Sequence, residues 1–550
     1  MIKTEVFGRI RLDLPPGTER AEIILPDGGV CEVMPYDCHD TEFTYDFHGY
    51  ETVKLIGEKR RQAAFTACAP GVHTLQAYTG GDQVVVMEFD SVDTGKRGYV
   101  QVSKNDPRYF CLSDGAPYIP IGLNLVGCAY DRLPAGMEHF EASGQSATTG
   151  LSQWRRWFGR MKDSGVNYAR VWLSNRYTEA RTELMGVHDP AALERFGALV
   201  ELARACDIRL KLCFEHWRTF SDVGHFAYRR YVDPETGRQL TDEDEWFNSP
   251  KWNAMWLKDI LPYIARCQND PVVFAWELWN EIDCGKAKFE PVAAFTRRML
   301  DEVRNLSPMN LVVNSLGSFD DEWKQARQDV FRDMPQMDFQ QVHRYLDQGA
   351  SMPICHADPV EFSIEAVNRS RRDDKPVILT ETGAVNDRHV GPFRYYGCDD
   401  DGLIFHDVTY PALFAGAAGS GHIWHWHEYV ETKNLWRHFR PLADAFEGVA
   451  PDLENFKPEV IPDVQAWILL LRGKTTALAY IRNKSDRWDY VLRDSAAPNT
   501  IVDLNVPVIC KSAAVYWLMG EKPGEATVHG GGVRIPAFTH GCVLKMALSD

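Results

Sequence analysis

The sequence lacks any segment that could enter a membrane. It contains no run of 18 or more apolar residues, so no transmembrane helix is predicted. The N-terminus, MIKTEVFGRIRLDLPPG, has no apolar core of the kind that signal peptides carry. The 13 cysteines are odd in number, scattered and without a C-x-x-C pair, which favours free thiols over a disulfide framework. We therefore expect a cytoplasmic protein with no membrane partner.

Positive charge is also scarce. The chain has 60 Lys and Arg against 77 Asp and Glu, a net charge of -17, and no long basic run. Such a chain repels phosphate backbones, so nucleic acid is not an expected partner. Hydrophobic residues make up 45% of the 550 residues, which is ordinary for a folded protein and excludes disorder as the main state.

Tryptophan, in contrast, is abundant and unevenly placed. Of the 16 Trp residues, none lies in the first 95 positions and three lie after position 455. Flat apolar rings with a polar edge suit the C–H faces of sugars, although core packing accounts for some of them equally well.

Periodicity divides the chain into three parts. Residues 1–95 show short alternating runs broken by turns, which predicts an Ig-like β-sandwich. Residues 96–455 alternate apolar strands with amphipathic helices, and residues 456–550 return to short strands, which predicts a second β-sandwich. The last part includes WDYVLRD (488–494) as a predicted strand.

The central part contains eight predicted strands with helices between them. The predicted strands are 119–127, 168–174, 209–217, 272–281, 310–318, 337–345, 376–383 and 421–429. This alternation is typical of an α/β fold of the (β/α)8 TIM barrel type. The rival is a doubly wound open sheet, which usually has a glycine-rich phosphate loop after its first strand, and the sequence has none there.

Active sites of such barrels lie at the C-terminal ends of the strands, so the residues there are the candidates for chemistry. Strand four ends in Asn280-Glu281 and strand seven carries Glu381. The other candidates, from strands one, two, three, six and eight, are Asn124, Arg170, Glu215, His216, His343, Tyr345, Trp424 and Trp426.

Two carboxyl groups across a barrel mouth suit glycoside hydrolysis. One protonates the leaving oxygen, and the other attacks the anomeric carbon if the groups stand about 5–5.5 Å apart. We expect Arg170 to depress the pKa of Glu381, and burial together with the charge of Glu381 to raise that of Glu281.

With these motifs, FAWELWNEID and PVILTETGA, the chain resembles the clan A glycoside hydrolases, closest to family 5-like members. The resemblance implies a retaining barrel enzyme with Glu281 as acid/base and Glu381 as nucleophile. It further implies that Asn280 binds the sugar 2-hydroxyl and that Arg170 keeps the nucleophile ionised. His343 and Tyr345 resemble the pair that lines the nucleophile, and Trp424 or Trp426 resembles the platform under the sugar.

Structural roles stay open for several of these residues. Glu281 and Glu381 could be a helix-entry carboxylate and an ion-pair partner, His343 a core histidine and Arg170 a plain salt bridge. Glu215 binds substrate or only braces His216. Glu277 is interpreted as a buried partner of an Arg or Lys. We expect both Trp424 and Trp426 to point inward from strand eight, and His425 and His427 to face the helices.

No metal or cofactor is predicted, because an acid/base and a nucleophile suffice and the H-x-H pair 425–427 has no companions. The long connections 128–150, 218–249 and 384–402 predict a closed pocket and hence exo action on a terminal sugar. We thus predict a retaining exo-β-glycosidase acting on oligosaccharides or small glycosides, with homo-oligomerisation open. The alternatives are an endo-β-glycanase of the glucanase or mannanase type, a transglycosidase, or a non-catalytic carbohydrate-binding protein.

Overall fold

The computed structural model describes residues 2–46, 49–128, 150–182, 184–216, 231–233, 235–240, 242–389, 391–520 and 522–549. Within these residues the chain forms an N-terminal β-rich region, a central barrel and a C-terminal β-rich region. All thirteen cysteines lie in the described ranges, and each has a free thiol. Among the described helices, none combines the length and apolarity needed to span a membrane.

The N-terminal region contains two sheets that share one apolar core. Its strands are β1 (Ile2–Glu5), β2 (Arg9–Leu14), β3 (Arg20–Ile24), β4 (Val30–Val33), β5 (Tyr36–Tyr45), β6 (Glu51–Thr66), β7 (Gly71–Thr79) and β8 (Asp82–Val92). One sheet has the order β1-β8-β7-β3-β4 and the other β2-β6-β5. Alternate residues of both sheets, such as Leu12, Ile23 and Leu75, point into the same buried cluster.

A small sheet leads from this region into the barrel. It consists of β9 (Val100–Val102), β10 (Phe110–Leu112) and β11 (Pro117–Tyr118). The barrel strands that follow are β12 (Gly122–Asn124), β13 (Tyr168–Trp172), β14 (Arg209–His216), β15 (Val273–Asn280), β16 (Leu311–Val313), β17 (Gln340–Leu346) and β18 (Val377–Ala384).

Helices follow the strands as the periodicity predicts. They are α1 (Leu151–Asp163), α2 (Pro190–Ala205), α3 (Glu243–Asn248), α4 (Pro250–Cys267), α5 (Phe289–Leu306), α6 (Gln325–Arg332), α7 (Pro359–Ser370), α8 (Leu403–Thr409), α9 (Pro411–Phe414), α10 (Arg440–Phe446) and α11 (Pro451–Glu454). Helices α2, α4 and α7 begin with proline after an Asp or Ser whose side chain caps the first turn.

The parallel strands close into a ring. Strands β12 to β16 pair in sequence order, and β17 pairs with β18. A backbone hydrogen bond from Asp338 to Val312 joins the two groups of strands. On the other side, Ile423 forms parallel bridges with both Leu123 and Thr382, so the eighth position of the ring closes it. The eight-stranded barrel predicted from the sequence is therefore confirmed.

The predicted first, fifth and eighth strands are wrong in extent. The first and the fifth are reduced to three residues each, and the eighth to the bridge at Ile423. A π-helical segment, Trp426–Glu431, begins three residues later, and the Thr432 hydroxyl bonds to the carbonyl of His427 at its end. The apolar and aromatic pattern of 421–429 is compatible with a strand, and the turn into the helical segment is set by tertiary packing.

The C-terminal region has a six-stranded sheet, β19-β20-β21-β27-β23-β24, and a three-stranded sheet, β22-β26-β25. The strands are β19 (Lys457–Ile461), β20 (Ala466–Arg472), β21 (Thr476–Asn483), β22 (Leu504–Val506), β23 (Cys510–Trp517), β24 (Gly524–Glu525), β25 (Thr527–His529), β26 (Gly532–Ile535) and β27 (Gly541–Leu548). The predicted strand 488–494 is wrong, because Asp489–Arg493 form a π-helical turn beside Trp488, whose Nε1 donates to the carbonyl of Ala357.

Alternation in the six-stranded sheet divides its side chains between two cores. Ala477 and Ala479 of β21 point toward the three-stranded sheet. Leu478 and Tyr480, between and after them, belong to the large cluster that fills the barrel and its helices. One face of this sheet therefore packs on the barrel and the other on its own partner sheet.

Candidate active site

Arg170 organises the polar centre of the barrel mouth. It lies on β13, is fully buried, and donates all five of its N–H groups. Nε and one Nη reach Glu277 at 2.7 and 2.9 Å, and the other bonds go to Asn280 at 2.6 Å, Asn124 at 3.2 Å and Glu381. A single guanidinium thus fixes side chains from three other barrel strands.

Glu381 is held from two sides on β18. The Tyr345 hydroxyl donates to Oε2 at 2.8 Å, and the Arg170 guanidinium bonds to Oε1. His343 lies opposite Glu381 in the β17–β18 ladder because the register shifts between Val342 and His343. These contacts compensate the charge of the carboxylate and fix its orientation toward the cavity.

Glu281 follows β15 and adopts a left-handed backbone conformation with φ of 53°. Its N–H donates to the Ser315 hydroxyl at 3.1 Å, and its carbonyl accepts from the N–H of Cys284 at 3.0 Å. A non-glycine residue in this region is strained, and such strain concentrates at functional sites. The turn ends the strand and directs the carboxyl group of Glu281 into the cavity.

The two carboxyl groups face each other across His343. One oxygen of Glu281, one of Glu381 and a ring nitrogen of His343 all lie within 4.8 Å of one another. His343 Nδ1 is 3.0 Å from Glu281 Oε1 and 3.4 Å from Glu381 Oε2. This close spacing is that of a pair in which one carboxylate can attack directly, with no room for a water between them.

Burial shifts the pKa values of Glu281 and His343 in opposite directions. It raises the pKa of Glu281 to about 7, and the Asp283 carboxylate adds to the rise, whereas the charge of His389 opposes it. Burial likewise lowers the pKa of His343 to about 4, so this imidazole is neutral at neutral pH. The predicted rise in the pKa of Glu281 is therefore present. Asp283 contributes to this rise, which the sequence did not suggest.

Glu277 is a structural carboxylate, as the sequence suggested. It is fully buried between Arg170 and the ammonium of Lys211, whose Nζ lies 3.4 Å away. Although burial alone would raise the pKa of Glu277, these two cations hold it well below its usual range. Burial also lowers the pKa of Lys211 to about 7.

Aromatic rings line one side of the cavity, which has a volume of about 370 Å³. Trp172 and Trp424 lie with ring centroids 5.2 Å apart, and His216 stacks behind Trp172 at 5.0 Å. The His216 ring is held by the Ser174 hydroxyl at 2.8 Å. Trp172 was not among the predicted residues, although its position two residues after Arg170 on the same strand was a signal for it.

Polar residues line the other side, and the sequence did not single them out. They come from the connections after β15, β16 and β18 and are Cys284, Ser318, Asp320, Lys324 and His389. Lys324 bonds to the Asp320 carboxylate and, at 2.8 Å, to the carbonyl of Ser318. Because these residues lie in loops, no periodicity marks them.

Of the nine predicted substrate-binding residues, Asn280, Tyr345 and Trp424 line the cavity. Arg170, His216 and His343 contact lining residues from behind, and three more lie away from the cavity. Asn124 is fully buried, with its amide donating at 3.0 Å to the carbonyls of Thr380 and His422. Glu215 is buried and accepts from Arg181 and, at 2.9 Å, from Trp256. Both side chains hold neighbouring parts of the barrel, and their roles in substrate binding stay predictions.

The third, Trp426, lies 6% exposed in the core beside Trp157, because the chain leaves the extended conformation after Ile423. For the same reason His425 turns toward the cavity and not toward the helices.

Two groups have the spacing of cation ligands. They are Glu281, His343 and Glu381, and, beside them, Asp320, Asp347 and His389. In the first group Arg170 already neutralises a carboxylate, and in the second Lys324 does so. The prediction that no metal is needed stays a prediction.

A (β/α)8 barrel with carboxylates at the ends of its fourth and seventh strands, close together at the mouth, is the arrangement that the resemblance to the clan A glycoside hydrolases implied. The family model for cellulases of glycosyl hydrolase family 5 matches residues 134–401, just under half of the chain. The barrel region of this chain is therefore similar in sequence to family 5 glycoside hydrolases.

Curated relatives match over part of the barrel. Mannan endo-1,4-beta-mannosidase 3 of Oryza sativa subsp. japonica is 27% identical over 157 residues, which is 26% of this chain and 32% of the relative. Mannan endo-1,4-beta-mannosidase F of Aspergillus clavatus is 24% identical over 221 residues, 35% of this chain and 49% of the relative. The chain thus spans about a third to a half of the length of these relatives.

One solved structure matches the whole chain. A protein of Bacteroides vulgatus ATCC 8482, classed provisionally as a glycoside hydrolase, aligns over 100% of both chains with a TM-score of 0.58 and 15% identity. At this identity the match describes the fold alone.

Proposed function

We propose that this protein is a retaining β-glycoside hydrolase that cleaves β-1,4-linked mannosides. The observation that carries the proposal is the pair Glu281 and Glu381, with carboxyl oxygens within 4.8 Å of each other at the barrel mouth. That spacing suits double displacement, because the second carboxylate reaches the anomeric carbon directly.

In the first step Glu281 is the acid and Glu381 the nucleophile. The proton of Glu281 passes to the glycosidic oxygen as the bond from that oxygen to the anomeric carbon breaks. The Glu381 carboxylate forms a new bond to the same carbon, giving a glycosyl ester. A pKa of about 7 keeps Glu281 protonated below neutral pH, as an acid requires.

In the second step the roles reverse. The Glu281 carboxylate takes a proton from water, the water oxygen attacks the anomeric carbon, and Glu381 leaves as a carboxylate. Arg170 and Tyr345 orient Glu381 in both steps. Asn280 accepts from Arg170 through its oxygen, so its NH₂ group is the part it offers to a sugar hydroxyl.

The relatives support the choice of substrate and of endo action. The two curated relatives described above are mannan endo-1,4-beta-mannosidases. Endo cleavage of β-1,4-mannan or its oligosaccharides, which was an alternative in the sequence analysis, is therefore our main proposal. We also propose a cytoplasmic location, which favours oligosaccharides as the substrates.

Exo action on a terminal sugar, the main prediction from the sequence, is the second candidate. One observation favours it: the 384–402 connection supplies Val385, His389 and Gly391 to the cavity wall. Of the other two connections on which this prediction depended, residues 129–149 and 218–230 lie outside the described residues.

Further proposals concern the flanking regions. We propose that they are β-sandwich domains with boundaries near residues 95 and 455 that brace the barrel, and homo-oligomerisation stays open. Two sheets around one apolar core in each region support this interpretation.

The test is hydrolysis of mannohexaose and β-1,4-mannan by the full chain, with product sizes and viscosity followed over time. Endo action gives mixed internal products and a fast fall in viscosity, whereas exo action releases one product size. We expect Glu381→Ala and Glu281→Ala to lose at least 10³-fold of activity, and azide to restore Glu281→Ala on an activated aryl substrate as a β-glycosyl azide.

The matched control is Glu42→Gln, an exposed glutamate on β5, which is expected to keep full activity. If wild type binds manno-oligosaccharides but cleaves none of them, the binding-protein alternative replaces the proposal. If it releases longer oligosaccharides than it received, a transglycosidase does.

A further inference from the structure

The cavity has two chemically different sides. Trp172 and Trp424 stand on strand two and beside the eighth position, which flank strand one of the ring. Asp320 and Lys324 lie on the connection after strand five, across the ring from strand one, and His389 lies on the connection after strand seven. Glu281 and Glu381 lie between the two sides, so a sugar cleaved there has its two halves in different surroundings.

His389 is fixed at the polar side by unusual local geometry. Its backbone is left-handed, with φ of 61°, and its N–H donates to the carbonyl of Asn386 at 2.9 Å. Its Nδ1 bonds to the Asp347 carboxylate and lies 3.5 Å from Asp320 Oδ2. The side chain is still 41% exposed and lines the cavity, so Nε2–H is the group it can offer to a ligand.

These contacts connect three loops around one imidazole. Asp320 follows β16, Asp347 follows β17 and His389 follows β18. The N–H of Met352 donates to the carbonyl of Asp320 at 3.0 Å, which joins the first two loops independently. Because strained residues are kept where the surroundings over-determine them, this arrangement points to a function.

We propose that His389, held by Asp347 and Asp320, forms the leaving-group wall of the cavity and selects a sugar, with its hydroxyl groups, over a flat aromatic group on that side. The proposal rests on the proposed function, because Glu281 as acid defines where the leaving group sits. The described lining residues at this side are Cys284, Ser318, Asp320, Lys324, His389 and Gly391. The aromatic ring beside them, Tyr345, stands edge to face with His389, and its hydroxyl donates to Glu381. Donors and acceptors of this kind recognise hydroxyl groups through hydrogen bonds.

The same imidazole is electrostatically coupled to the acid. The groups facing His389 are Asp347, Asp320 and Glu281, with the ring of Tyr345 at 6.2 Å and Lys324 bound to Asp320. The hydrogen bond with Asp347 raises the pKa of His389, and the resulting positive charge opposes the rise in the pKa of Glu281. Removing His389 should therefore raise the pKa of Glu281 further.

The experiment compares two substrates with the same mannobiosyl glycon and different leaving groups: mannotriose and 4-nitrophenyl β-mannobioside. We expect His389→Ala to lower kcat/KM for mannotriose at least tenfold, mostly through KM, and for the aryl substrate less than threefold. His389→Gln, which keeps an N–H donor, should recover part of the loss. His529→Ala, an exposed histidine on β25, is the matched control.

A second readout is the pH profile of kcat/KM for mannotriose. The alkaline limb should move to higher pH in His389→Ala. Without the positive charge of His389, Glu281 keeps its proton up to a higher pH. A merely structural defect would lower the profile without moving the limb. An unmoved limb, or equal losses on both substrates, would overturn the proposal.

A competing explanation is that Asp320, Asp347 and His389 bind a metal ion, and it can be tested separately. If EDTA abolishes activity and a divalent cation restores it, Asp320, Asp347 and His389 are metal ligands and the proposal fails; we expect activity to survive EDTA. If wild type cleaves neither these two substrates nor mannohexaose, it is the proposed function that fails, which is distinguishable from a selective effect of His389.

Discussion

At the scale of single residues, the site is organised by one cation whose hydrogen-bonding capacity is fully used. Arg170 satisfies Glu277, Asn280, Asn124 and Glu381 at once, which an ammonium group cannot do because it has three donors and no planar fork. The position of the nucleophile is thus tied to Glu277 and Asn124, which do not line the cavity.

Arg170→Lys should therefore reduce kcat by about 10²-fold, the size of effect that a displacement of about 1 Å in a reacting group can cause. Circular dichroism should show an intact fold at 25 °C. The matched control is Arg472→Lys, a surface arginine on β20 paired with Glu459. Unchanged kcat in Arg170→Lys would mean that the guanidinium does not set the geometry of Glu381.

The pH dependence follows from the acid. Because burial raises the pKa of Glu281 to about 7, its proton is present below that pH and lost above it. We expect kcat/KM for manno-oligosaccharides to fall above about pH 7. An alkaline limb near pH 4.5, the ordinary value for glutamate, would contradict the role assigned to burial.

At the scale of elements, the end of the barrel ring after Ile423 decides which tryptophan faces the substrate. A regular strand would direct Trp424 and Trp426 to the same side. The π-helical segment that begins at Trp426 instead buries this ring beside Trp157 and leaves Trp424 at the cavity. The two residues therefore have separate roles that substitution can distinguish.

Trp424→Ala should lower kcat/KM about tenfold or more, equivalent to ~1.4 kcal/mol, with little change in unfolding free energy. Trp426→Ala should cost about 3–5 kcal/mol of stability, as loss of a buried aromatic ring does. Urea denaturation and steady-state kinetics on both variants provide the measurement. If Trp426→Ala instead lowers activity and Trp424→Ala lowers stability, Trp426 faces the cavity, as the sequence predicted.

At the scale of the whole molecule, the C-terminal six-stranded sheet and the barrel share a core. Leu478 and Tyr480 on β21 belong to the cluster that fills the barrel and its helices. The buried Arg482 pairs with Asp407 of α8 at 2.6 Å, which adds a charged contact between the two regions. The two regions should consequently unfold together.

Leu478→Ala should lower the unfolding free energy by about 2–5 kcal/mol. The loss of activity and the loss of circular dichroism on heating should shift by the same amount, because one cooperative unit is affected. Val464→Ala, at a position that is 92% exposed, is the control and should shift neither. Activity lost at an unchanged temperature would show that the barrel unfolds independently of the sheet.

The sequence by itself determined the barrel, its order of strands and the two glutamates, because strand and helix periods are local properties and strand ends meet at one face of a parallel barrel. Only the tertiary structure decided the rest. The register shift beside His343, the turn after Ile423, and the meeting of Asp320, Asp347 and His389 depend on contacts between residues far apart in the chain. No local pattern encodes them, since loops carry no period and a strand can end wherever packing favours a turn.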